Sequence, residues 1–240
     1  MSNPLLKDNI FKTSAFNNSN ATMTTIGTIN KSIILWMCLV AGALYSWTHT
    51  IVTFSLLLPI SIVASILSMI IIFKKNTATI LAPLYAICEG LILGTVSVYF
   101  NNYTGIVTHA ILLTLCVLIC MLASYKSGIL RYTSSTKKII LLSTLTISVI
   151  YFIDFILHCF GINNIFHINS ISGIGIIISL IIVIVAALNL LSDFDLIENG
   201  VSYGAPKYME WYSSFALMIT VIWLYLEILK LLFKIKNIEK

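Results

Sequence analysis

Apolar residues in this 240-residue chain gather in long runs, and the polar residues fall mostly between those runs. Seven runs can be marked, at roughly 32–53, 55–73, 78–100, 106–125, 139–160, 171–192 and 209–233. Each is close to the ~20 residues that an α-helix needs to cross the ~30 Å hydrocarbon core of a bilayer. Ile, Leu, Val and Phe occur all round these segments with no polar stripe at helical period, which suits helices buried in lipid or among other helices. A transmembrane β-barrel would need runs of about ten residues alternating apolar and polar, and the chain has none. The pattern predicts an all-α, polytopic membrane protein with seven transmembrane helices, the first two joined by a tight turn around residues 57–59. Residues 1–25 carry few large apolar side chains and read as a flexible polar tail. Residues 26–235 form the membrane domain, and 236–240 a short basic tail. The first run opens near residue 32 with no small-residue cleavage site after it, so no cleavable signal peptide is expected.

Composition sharpens this picture. Apolar residues make up 59% of the chain and charged residues 10%, against about 25% charged in a soluble domain, whose surface must be hydrated. The net charge of +5 is spread over loops and ends, not gathered in the stripe that a nucleic-acid binder would show. The charges alternate by loop. Lys7, Lys12 and Lys31 precede the first segment; Lys74 and Lys75 follow the second; Lys126, Arg131, Lys137 and Lys138 lie between the fourth and fifth. The loops near 54, 101–105 and 161–170 contain no Lys or Arg. Positive loops stay in the cytoplasm, which predicts a cytoplasmic N-terminus.

The last segment breaks the alternation with Lys230, Lys234, Lys236 and Lys240. Either it re-enters the membrane and returns, or earlier helices fix the topology and the tail crosses regardless. It also contains Glu210, Glu227, Ser213, Ser214 and Thr220, and a segment so polar belongs inside the bundle. The five cysteines, Cys38, Cys88, Cys116, Cys120 and Cys159, all fall inside apolar runs without the partners of a zinc site and read as small core residues.

Ionisable groups at membrane depth are expensive, so each is a candidate functional group. Glu89 lies mid-segment beside Gly90 and Gly94, whose small-xxx-small spacing lets another helix approach closely. It reads either as a hydrogen-bonded packing residue or as a carboxylate in a cation or proton path. Asp154 has His158 one turn further on as a partner. The densest group is Asp193, Asp195 and Glu198 at the end of the sixth segment, followed by Glu210. Hard cations are bound by several carboxylate and carbonyl oxygens, so Asp193, Asp195 and Glu198 are candidate Ca²⁺ ligands. Carboxylates this close resist ionising together, so the cluster also suits a shared proton and a pH-controlled latch. Glu210, Glu227, Glu89 and Asp154 complete the cation-binding or pH-sensing candidates. The alternative for the cluster is a solvated acidic loop.

Catalytic patterns are incomplete. Ser170-Ile171-Ser172-Gly173 resembles the end of an intramembrane serine protease motif without its leading Gly. Tyr151-Phe152-Ile153-Asp154 and Gly173-Ile174-Gly175 resemble intramembrane aspartyl proteases, but no Asp follows the glycines. No nucleotide-binding loop is present, so an enzyme is not expected.

Several strings carry a resemblance. Asp193-Phe194-Asp195-Leu196-Ile197-Glu198, Gly204-Ala205-Pro206-Lys207-Tyr208-Met209-Glu210-Trp211-Tyr212 and Trp223-Leu224-Tyr225-Leu226-Glu227-Ile228-Leu229 resemble the Bax inhibitor-1 family, and more closely its bacterial YccA-like branch. Ala82-Pro83-Leu84-Tyr85-Ala86-Ile87-Cys88-Glu89-Gly90 and Thr25-Ile26-Gly27-Thr28-Ile29-Asn30-Lys31 agree, and the resemblance covers about residues 20–235. It implies a seven-helix bundle with the last helix central, in a bacterial plasma (inner) membrane. It also implies a pH-sensitive Ca²⁺ leak gated by an aspartate pair on the sixth and seventh helices. Asp193 matches the first aspartate; Leu217 and Met218 stand where the second would fall. No cofactor is implied beyond Ca²⁺ as the transported ion. Some YccA-like relatives are linked to a membrane-bound ATP-dependent protease, so a regulatory protein using its N-terminal tail as a handle is the second expectation.

Overall fold

The computed structural model describes residues 22–101, 105–130, 132–161 and 170–238. Among these the regular structure is helical: α1 Thr25–Thr48, α2 Thr50–Ser55, α3 Leu57–Phe73, α4 Ala78–Asn101, α5 Ile106–Lys126, α6 Ser134–Cys159, α7 Gly173–Ser202 and α8 Met209–Ile238. A 3₁₀ turn, Lys75–Thr77, leads into α4. Six of the helices are long and apolar enough to cross a membrane: α1, α4 with its 3₁₀ turn, α5, α6, α7 and α8. The seventh apolar segment, α3, has 17 residues, or about 26 Å of helix, and falls just short of the hydrocarbon thickness. All seven segments are thus helical, but six meet the crossing length.

The helix boundaries follow local chemistry. Thr24 caps α1, its Oγ1 accepting from the Gly27 N–H at 3.0 Å, so the helix starts earlier than its apolar run. It stops at His49, where the Thr48 hydroxyl donates back to the Tyr45 carbonyl at 2.9 Å and competes with the backbone ladder. The expected first span is therefore two helices, α1 and α2. The turn before α3 sits at Leu56, with Pro59 already inside its first turn, where a missing N–H costs nothing.

The largest departure is in α7. Its apolar pattern fades near residue 192, yet the helix continues to Ser202. No Gly or Pro interrupts residues 176–199, and the Asn199 amide donates to Asp195 Oδ2 at 3.0 Å across one helical turn. The helix ends only before Gly204, at φ 65°, the left-handed conformation that glycine adopts freely.

The tail expected over 1–25 is anchored from Thr22 onward, where Thr22 pairs with Pro206 in an isolated antiparallel bridge. Residues 1–21, 102–104, 162–169 and 239–240, and with them Lys7, Lys12 and Lys240, lie outside the described residues, as does Arg131. The cysteines are not core residues: Cys38 and Cys88 are half-buried and Cys116, Cys120 and Cys159 exposed, all as free thiols. In a bilayer the exterior is itself apolar, so a small apolar thiol needs no core.

The chain divides into two compact units, one containing Gly105–Phe194 and Thr220–Lys240 and the other Leu5–Thr104 and Asp195–Ile219. In the second, α1 and α4 meet through small residues. A Cβ added to Gly90 would overlap the Leu39 carbonyl, and one on Gly94 would stand 2.5 Å from the Ala43 carbonyl. From the other side, a Cβ on Gly42 would lie 2.6 Å from the Ile87 carbonyl. The expected small-residue face thus has its partner, closed by a buried Ser46–Thr95 hydroxyl contact of 2.7 Å. In the first unit, α6 buries Ile140 and leaves Leu142, Leu145, Val149, Phe152 and Phe155 exposed, as a helix facing lipid does.

Gly90→Ala should cost about 1–3 kcal/mol through overpacking of backbone on backbone. Gly173→Ala, where an added Cβ meets nothing within 4 Å, should be neutral. Thermal unfolding of both variants in detergent checks this; equal melting temperatures would remove the α1–α4 contact from the account.

Candidate functional site

In the unit containing Leu5–Thr104 and Asp195–Ile219, the centre is Glu210. It stands in the first turn of α8, one per cent exposed. Its Oε1 accepts from the Thr24 backbone N–H at 3.1 Å and from the Thr24 hydroxyl at 3.0 Å. That same hydroxyl caps α1 by accepting from Gly27. The carboxylate therefore lies against the start of α1, where unsatisfied N–H groups carry partial positive charge. Lys31 completes the site, its Nζ 3.3 Å from Oε2 and 5.8 Å from the centre of the Trp211 ring. Gly27 is glycine for want of room: an added Cβ would overlap the Glu210 carboxylate. Around the carboxylate, Met23 N–H donates to Ala205 O at 2.6 Å, and Ser214 Oγ donates to Thr28 O at 2.9 Å.

In the other unit, the polar groups form a chain along α8. Tyr151 on α6 donates its hydroxyl to the Glu227 carboxylate, 2.9 and 3.0 Å from the two oxygens. Lys230 pairs with Glu227 Oε1 at 3.0 Å and lies 5.0 Å from the Tyr151 ring centre. One turn further, Lys234 is four per cent exposed. It donates to Ser179 Oγ at 2.6 Å and to Gly175 O at 3.2 Å, both on α7. Tyr151 also lines a cleft of about 560 Å³ between α6 and α7, walled by Leu142, Thr146, Ile178, Ile181 and Val185. Deeper along α7, Asn189 donates to Thr144 Oγ1 at 2.8 Å, and Ser192 meets the Tyr132 hydroxyl at 2.8 Å. Asp193 follows, with no exposed surface.

The remaining candidates are dispersed. Asp195 is half-buried and bonded to Asn199, and Glu198 is exposed. Glu89 is half-buried and accepts from the Tyr85 hydroxyl at 2.8 Å, whose ring meets Phe215 edge-on. Asp154 is half-buried on α6, one turn before the exposed His158. The Ca²⁺ ligand set of Asp193, Asp195 and Glu198 does not form: among the described residues no three His, Cys, Asp or Glu side chains gather to hold a metal ion. The reason is the continuation of α7. At 100° per residue, positions 193 and 195 point to nearly opposite sides of a helix, whereas a loop could have turned them inward.

Thr24, Lys31, Tyr151, Lys230, Lys234 and Ser179 were not singled out as site residues by sequence. The signal for the lysines was present in their spacing, since Glu227, Lys230 and Lys234 recur at three and four residues and so share a helix face. For Lys31 and Thr24 no local signal exists, because their partner lies 186 positions away in Thr24's case.

Glu210→Ala should lower stability by roughly 2–4 kcal/mol, leaving the Thr24 donors and Lys31 without their acceptor. Glu198→Ala, at an exposed position, should stay within about 0.5 kcal/mol of wild type. Unfolding in detergent separates the two, and a Glu210→Ala loss no larger than that of Glu198→Ala would sink this account of the site.

The profile of the Bax inhibitor 1 like family matches residues 3–237. No curated protein and no solved structure matches the chain. The match spans both strings that meet at Glu210, Thr25–Lys31 and Gly204–Tyr212, and reaches into all six of the long apolar helices. This multi-pass membrane protein belongs to the Bax inhibitor 1 like family.

Proposed function

We propose that this chain is a pH-sensitive cation leak, with Ca²⁺ as the transported ion and membrane carboxylates as its gate. The observation that carries the proposal is Asp193, a carboxylate without exposed surface on the 30-residue apolar helix α7. A carboxylate at membrane depth costs free energy whether it is ionised or neutral, and such groups mark ion pathways and proton relays. Protonation removes its charge and changes what the surrounding helices must satisfy, which is how a local proton becomes a switch. Asp193 also stands in register with the aspartate that the family resemblance implies near the end of the sixth helix. Leu217 and Met218 occupy the place of the second aspartate, so the gate works with Asp193 alone or with another carboxylate. Ca²⁺ is here a passing ion and not a resident one, in keeping with the dispersed acids. The protein acts as a transporter and not as a catalyst.

The loop charges support an N-terminus in the cytoplasm, and the resemblance to the YccA-like branch implies a bacterial plasma membrane. Lys74 and Lys75 on one side and the Lys- and Arg-free stretch near residue 54 on the other preserve the alternation.

Ca²⁺ flux into proteoliposomes of purified protein, measured between about pH 6 and 8, tests the proposal. Wild type should show a flux that varies several-fold with pH, and Asp193→Asn should flatten that variation. An unchanged pH profile in the variant would remove Asp193 as the gate. No flux above empty vesicles at any pH would favour the regulatory reading, a protein that binds or modulates a membrane-bound ATP-dependent protease.

A further inference from the structure

Lys234 is an ammonium inside a helix apolar enough to cross a membrane, and it is almost wholly buried. The cost of such a placement is met by oxygens of α7: the Ser179 hydroxyl at 2.6 Å and the Gly175 carbonyl at 3.2 Å. A hydroxyl and a backbone carbonyl are the neutral oxygens that replace the water of a dehydrated cation in selective pores. Lys234 thus places its own cationic group where a free cation would be stripped and held. Beside it, Lys230 is paired with Glu227 at 3.0 Å. That pair lies against Tyr151, which lines the cleft between α6 and α7.

We propose that Lys234 is a tethered cation: its ammonium fills an oxygen-lined cation site on α7 and holds back free cations from this unit. The inference rests on the cation-leak function proposed above and names the residue that limits the rate and selectivity of that leak. A lysine fits the role because its long stem lies along the apolar surface while its head reaches polar atoms. Its charge repels a second cation over several ångströms in a medium of low dielectric. The pairing of Lys230 with Glu227 assists by keeping that carboxylate from drawing the Lys234 ammonium off α7.

The test measures K⁺ and Ca²⁺ flux in proteoliposomes of wild type, Lys234→Met, Lys234→Arg and Ser179→Ala. Removing the charge should raise the K⁺ leak about tenfold and the Ca²⁺ leak at least about a hundredfold, the effect of a unit charge ~10 Å from the path at an effective dielectric of about 20. Lys234→Arg keeps the charge and should stay near the wild-type rate. Ser179→Ala loosens the ammonium without removing it and should give an intermediate increase; it also serves if Lys234→Met does not fold. A wild-type leak left unchanged by Lys234→Met or by Ser179→Ala would overturn the tethered cation while leaving the leak itself standing. Flux in Lys234→Met with none in wild type would support it and make the native protein a closed form. Silence in wild type and every variant would overturn both.

Discussion

A charged or strongly polar side chain at membrane depth has to be satisfied by protein, because lipid offers neither donors nor acceptors. That constraint organises what is specific about this molecule. Glu210 is met by the start of α1 and by Lys31. Glu227 is met by Tyr151 from α6 and by Lys230 from its own helix. Lys234 is met by a hydroxyl and a carbonyl of α7. Apart from the Lys230 pair, each of these bonds ties α8 to another helix. Of the six long helices, α8 accordingly has the largest buried share, 61% of its most apolar stretch.

Apolar packing has a different part in such a protein. The large apolar side chains of α6 face outward, and lipid is as good a neighbour for them as another helix. Close contact is instead made where side chains are absent. Gly90 and Gly94 let α4 approach the backbone of α1, while Gly27 makes room for a carboxylate. The first use is general to membrane helices. The second serves the Glu210 site, because a methyl group at residue 27 would overlap the Glu210 carboxylate and push it off its donors.

How much of this could be read from the sequence depends on the range of the interaction. Apolar runs are local, and helix stands on each of the seven that were marked, but neither the break at His49 nor the shortness of α3 was legible in them. The Gly90–Gly94 spacing is local too, and it announced a close helix contact without naming Gly42 as the other side. The acidic run at 193–198 misled for a physical reason. Loss of apolar character marks where a helix leaves lipid, but nothing in Asp193 to Glu198 stops a helix, so α7 carried the acids onto different faces. The Glu210 site was legible only as two separate strings with a family likeness. Their meeting is a tertiary fact, since neither Thr24 nor Glu210 has a partner that spacing could reveal.

The lysines of the last helix show the same limit from the other side. Counted as loop charges, Lys230, Lys234 and Lys236 contradict the alternation that Lys74, Lys75, Lys126, Lys137 and Lys138 establish. In the structure all three belong to α8, which runs to Ile238. Lys230 is neutralised by Glu227, and Lys234 is folded back onto α7. A lysine whose head is held within the protein is not a free charge awaiting the cytoplasm, and it carries little weight in deciding which end of a helix crosses. The positive-inside rule counts charges that water must receive. In a chain with this few charges, the depth and partner of each lysine decide whether it speaks for topology or for function. Lys230 and Lys234, whose partners lie within the protein, speak for function.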